Sequence, residues 1–136
     1  MATSKVYYMN AHSESTETSL VAKMLTVFDA AGLDEIISPN DIVAIKVHCG
    51  EWNNTAYLRP VYARALADRI KELGGRPFVC DTTTQSYRPT ASRVCELDLL
   101  LTAERNGYNS ATLGCPFIVA DGFIGTSDYR VDLPEG

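Results

Sequence analysis

None of the four cysteines, Cys49, Cys80, Cys95 and Cys115, pairs with another as CxxC, so neither a zinc ribbon nor a ferredoxin loop can be read from their spacing. A small disulfide framework is also a poor fit. The chain has the Leu/Val/Ile/Ala pattern of an ordinary core, and reduced thiols are the simpler reading. No apolar run approaches the ~18 residues that would cross a bilayer. The opening Met1-Ala2-Thr3-Ser4-Lys5 has no apolar signal-peptide core, so a cytoplasmic location is expected. Basic residues are few and scattered. Lys and Arg number 12 against 17 Asp and Glu, a net charge of −5 that speaks against a nucleic-acid partner. There is no GxGxxG, no Walker lysine loop, no GxSxG elbow and no HExxH. With His12 and His48 the only histidines, one chain cannot supply a three-histidine metal site.

What is present reads as one α/β domain over residues 1–136, with 46% hydrophobic residues and enough length to bury a core. Val6-Tyr7-Tyr8-Met9 reads as a first strand. Val21, Met24, Leu25 and Phe28 follow a helical stripe that Gly32 would stop. Ile42 to His48 is a nearly continuous β-branched run, the pattern of a strand covered on both faces. Ala63, Leu66, Ile70 and Leu73 mark a second helix, with Pro60 tolerated in its first turn. Pro77-Phe78-Val79-Cys80 is a short buried strand. Val94, Leu97 and Leu101 mark a third helix, and Phe117-Ile118-Val119-Ala120 a fourth strand. Tyr129, Val131 and Leu133 alternate as an edge strand would. The order β-α-β-α-β-α-β-β predicts a mostly parallel open sheet flanked by helices.

Several of the predicted strands run into polar residues, and in such folds ligands bind beyond the carboxyl ends of the strands. Lys46 and His48 lie two apart on one face of an otherwise apolar strand, and Glu51 follows. An unpaired lysine there is costly, so it is either open to solvent or paired, with Asp81 as the obvious partner. Lys46, His48, Glu51 and Asp81 are the candidate catalytic groups. Asp81-Thr82-Thr83-Thr84 joins an acid to three hydroxyls and free amides, which suits an anion cradle or a hydrated divalent ion, and equally a self-satisfied turn. Tyr87, Arg88 and Arg59 stand close enough in sequence to cover or clamp a bound acid, although Arg59 also suits a solvated helix start. Asp121-Gly122 after the fourth strand adds a third acid, so that Glu51, Asp81 and Asp121 form a candidate metal set. His48 and Cys49, as strand neighbours, point to opposite faces and do not suit a dyad.

Val43-Ala44-Ile45-Lys46-Val47-His48-Cys49-Gly50-Glu51, Tyr57-Leu58-Arg59-Pro60, Gly74-Gly75-Arg76-Pro77-Phe78 and Asp81-Thr82-Thr83-Thr84 together resemble the DUF362 family. Gly114-Cys115-Pro116 and Ala120-Asp121-Gly122 are similar to it as well. The resemblance implies Lys46, His48, Gly50, Glu51, Arg59, Asp81 and Asp121 as matched positions without assigned roles. Cys49 departs from the aromatic residue the family pattern implies. Members are typically longer, and many carry a ferredoxin-like segment with 4Fe-4S clusters. This chain has no such cysteine run, so iron–sulfur binding is not carried over. The resemblance also implies that the chain is an N-terminal portion of a longer domain.

Two readings follow. One is a domain that binds a small anionic ligand or a divalent metal at its strand ends, as part of a redox-associated enzyme. There Arg59, Thr82, Thr83, Thr84 and Tyr87 hold the substrate and His48 moves a proton. The other is a non-catalytic assembly domain, covered by a second copy or by the C-terminal remainder of a longer protein.

Overall fold

A computed structural model of the chain describes residues 3–84 and 92–133. Its elements run α1 (Leu20–Ala30), β1 (Ile42–Lys46), α2 (Pro60–Glu72), β2 (Arg76–Asp81), α3 (Glu96–Arg105), α4 (Ser110–Leu113) and β3 (Phe117–Val119). The three strands form one parallel sheet in the order β1-β2-β3. The chain is therefore an α/β fold with an open parallel sheet and flanking helices.

Local chemistry accounts for the element ends. Ser19 caps α1 by accepting the Ala22 N–H, and Pro60 occupies the first turn of α2, where its missing N–H costs nothing. Asn109 caps α4 in the same way as Ser19, and Gly114 closes it in the left-handed conformation. Ala63, Ala67 and Ile70 form the buried stripe of α2, which packs on β1 and β2. Leu99 and Ala103 of α3, with Tyr108, Leu113, Val79 and Val119, complete the core. The Tyr108 hydroxyl, buried at its ring end, donates to the Leu58 carbonyl at 2.5 Å.

Two of the strands expected from sequence are not in the sheet. Val6–Met9 and Tyr129–Leu133 have no ladder partners, and Val6 and Tyr129 are each 90% exposed. A β-prone composition measures how well residues suit a pleated, half-buried surface, and without a neighbouring strand it does not create one. β1 is also covered on one face only. Val43 and Ile45 turn toward α2, while Ile42, 71% exposed, Ala44 and Lys46 turn away. In register with them, Phe78 and Cys80 of β2 and Ile118 of β3 continue that second face. Among the described residues, no helix is long and apolar enough to span a membrane.

Candidate functional site

Because β1 and β2 pair in register from Ile42 with Arg76 to Lys46 with Cys80, the two strands finish side by side. The chain leaving β1 continues the ladder for one more bond, Val47 N–H to the Cys80 carbonyl at 3.0 Å. It then crosses the end of β2, where Asp81 is fully buried. A carboxylate in that position must be compensated. Lys46 Nζ donates to Oδ1 at 2.8 Å, the Cys49 N–H to Oδ2 at 2.9 Å, the Thr82 N–H to Oδ1 at 2.8 Å and Arg93 Nη2 to Oδ1 at 3.1 Å. Burial works against ionisation of Asp81, but Lys46, the two amides and Arg93 outweigh it and hold the carboxyl below the usual range.

The turn after β1 is shaped by Gly50, whose φ of +96° only glycine adopts readily. A Cβ there would lie 2.6 Å from Asn106 Nδ2 and 2.9 Å from Tyr57. In this conformation the Gly50 N–H reaches His48 Nδ1 at 3.0 Å, and Asn106 Nδ2 holds the Cys49 carbonyl at 2.9 Å. The following loop is held by Arg105, which sits 4.3 Å over the Trp52 ring, and by the Trp52 N–H donating to Ser92 Oγ at 3.1 Å. Ser92 Oγ in turn donates to Glu51 Oε2.

Arg93 joins these pieces. Its side chain is buried, with Nη2 donating to the Thr82 carbonyl at 2.8 Å as well as to Asp81, and Nη1 2.6 Å from His48 Nε2 and 3.8 Å from Glu51 Oε1. Its Nε is buried and has no hydrogen-bond partner among the described residues. Lys46 remains half exposed, with one N–H on the Val47 carbonyl and another on Asp81.

Lys46, His48, Glu51 and Asp81 thus meet at one strand-end cluster, as their sequence positions predict. The remaining candidates are placed elsewhere. Asp121 accepts from the Thr83 N–H at 2.9 Å and the Thr83 hydroxyl at 2.6 Å, a separate tie between the ends of β2 and β3. Thr84 donates its N–H to the Arg93 carbonyl at 2.8 Å, and Thr82 contributes its amide and carbonyl to the Asp81–Arg93 pair. The three threonines therefore spend their backbone groups on local bonds. Arg59 stands at the start of α2 and lines a different small cleft of about 220 Å³ with Asn53, Asn54, Thr55, Tyr57 and Asn106. Tyr87 and Arg88 lie outside the described residues. Among those residues, no three His, Cys, Asp or Glu side chains are grouped to hold a metal ion, and Glu51, Asp81 and Asp121 do not form one ligand set. His48 and Cys49 lie just beyond the end of β1 and still diverge, His48 exposed and Cys49 buried. Burial, with Asp81 nearby, pushes the Cys49 thiol up to about 12.

Sequence reasoning missed Arg93 and Ser92. Their signal was slight, a serine and an arginine just before a helix, and it points to the site only once Asp81 is known to be buried and in need of a second cation.

The fold and this cluster define an α/β domain with a charged, hydrogen-bonded centre at the carboxyl ends of parallel strands. The family model for DUF362, a domain of unknown function, matches residues 43–136, more than half of the chain. The protein belongs to the DUF362 family. Among curated proteins and among solved structures, none matches this chain.

Proposed function

We propose that this domain binds a small oxyanion, a carboxylate or a phosphate, at the mouth formed by Lys46, His48, Glu51 and Arg93 above Asp81. The observation that carries the reading is a surplus of donors. Asp81 and the carbonyls of Val47 and Thr82 absorb part of the donor capacity of Lys46 and Arg93, yet Lys46 keeps one N–H on its half-exposed side, and among the described residues Arg93 Nη1 has only the His48 ring within hydrogen-bond distance and Nε has no acceptor. Lysine and arginine only donate, so the missing partners are acceptors. Charge-assisted bonds to an oxyanion are the strongest way to supply them. The position at the strand ends of a parallel sheet agrees with where such folds bind ligands. With an anion in place, His48 would be the group beside it able to carry a proton.

The test is calorimetric titration of the whole chain with inorganic phosphate and, separately, with malonate. Saturable binding of one of them, weakened about tenfold or more in Lys46→Met, is the expected result. Absence of binding by both anions would overturn the reading. A divalent ion is not part of it, because the acids proposed as ligands are divided between two clusters.

A second reading rests on the uncovered sheet face. Parallel sheets are ordinarily packed on both sides, whereas Ile42, Ala44 and Ile118 face away from the helices and are exposed. An assembly role, with a second copy covering that face, accounts for it. A monomeric mass by light scattering across a hundredfold range of concentration would remove this alternative.

A further inference from the structure

We propose that Arg93 acts as an exchange clamp, its Nη1 parked on His48 until an oxyanion draws it away and binds it. The inference rests on the anion-binding reading above and assigns a specific step to it.

The backbone around Arg93 is pinned. Its carbonyl accepts the Thr84 N–H at 2.8 Å, and the preceding Ser92 carbonyl accepts the Thr102 hydroxyl at 2.5 Å. Any rearrangement is therefore confined to the guanidinium. Nη2 is the fixed end, holding Asp81 Oδ1 and the Thr82 carbonyl together. Nη1 is the free end, and its only close partner among the described residues is His48 Nε2 at 2.6 Å. Glu51, 3.8 Å away, already accepts from Ser92.

The imidazole cannot satisfy both of its neighbours. A guanidinium nitrogen always donates, and the Gly50 N–H donates toward Nδ1 at 3.0 Å. A neutral ring has one acceptor nitrogen, so one of the two contacts sets an N–H against an N–H. The shorter, charge-assisted contact prevails, which makes Nε2 the acceptor and leaves the ring proton on Nδ1, facing Gly50. The resting network thus sets one N–H against another at His48.

An oxyanion at the mouth resolves the conflict. It accepts from Nη1 of Arg93 and from the remaining N–H of Lys46. With Nη1 gone, the His48 proton moves through solvent from Nδ1 to Nε2 and points at the anion, while Nδ1 accepts from Gly50. No proton is gained or lost by the protein. His48 ends as a donor aimed at the ligand, the orientation an acid catalyst or a ligand-sensing group requires.

Ring nitrogen NMR reads this step directly. The whole chain, labelled with ¹⁵N-histidine and carrying His12→Gln so that His48 is the single histidine, is recorded at a fixed pH about two units above histidine's ordinary value. Without anion, the Nδ1–H pattern is expected. Saturation with inorganic phosphate or malonate converts it to the Nε2–H pattern. Arg93→Lys, too short to reach the ring, shows the Nε2–H pattern with no anion present and binds the anion at least about tenfold more weakly. An anion that binds without changing the ring pattern overturns the clamp and leaves the anion site standing. Retention of the Nδ1–H pattern in Arg93→Lys also overturns it. If neither anion binds, the site reading itself fails. Should Arg93→Lys not fold, the wild-type titration alone decides.

Discussion

Replacing Asp81 by asparagine keeps the shape of the side chain and removes its charge from a place where four donors converge. The amide can present its oxygen to Lys46, Thr82 and Arg93 only by turning its NH₂ toward the Cys49 N–H, where donor faces donor. The opposite rotamer loses three bonds instead of one. Hydrogen bonds to a charged group are worth roughly 1.5–3 kcal/mol, and breaking a buried ion pair costs about 3–5 kcal/mol. Lys46 is half exposed and can turn to water, and Arg93 keeps the Thr82 carbonyl, so the lower part of that range applies. A cost of about 3 kcal/mol in a domain of this size corresponds to a fall in Tm of about 10 °C. The pH dependence supplies an independent check. The carboxyl of Asp81 is depressed in the folded state, so its contribution is fully present above the unfolded value near about 4 and is lost as pH falls through the lower folded value. The gap between wild type and Asp81→Asn should therefore be constant from pH 7 to 5 and should narrow below about 4. Thermal melts followed by circular dichroism across that range measure both effects. A gap under about 2 °C at neutral pH, or one that persists undiminished at pH 3, would refute the account of Asp81 as a compensated buried charge.

Two further outcomes follow from the same geometry. With the Cys49 thiol pushed up to about 12 and fully buried, a disulfide-exchange reagent at pH 8 should modify the half-buried Cys95 first in the native protein and reach Cys49 only on unfolding. Comparable rates for the two, read by peptide mass spectrometry, would contradict that burial. Gly50→Ala must place a Cβ against Asn106 and Tyr57 at a φ of +96°, and a loss of more than about 2 kcal/mol in urea denaturation is expected; a neutral substitution would mean that the turn relaxes freely.

The sequence by itself located α1, α2, α3 and the three strands of the sheet, though not the single-turn α4, because 3.6-residue and continuous apolar patterns are local properties that each segment carries alone. It also brought Lys46, His48, Glu51 and Asp81 together, since consecutive strands of a parallel sheet end on the same side. Strand pairing is not a local property. Val6–Met9 and Tyr129–Leu133 have strand-like composition and find no neighbour, while the run Ile42–His48 looks like a strand buried on both faces and forms strand only over Ile42–Lys46, covered on one. Tertiary structure alone decided the partner of each polar group, sending Asp121 to Thr83 and Arg59 to a separate cleft. It alone recruited Arg93, twelve residues beyond Asp81 along the chain, because the demand for a second cation arises only after folding has taken a carboxylate out of water.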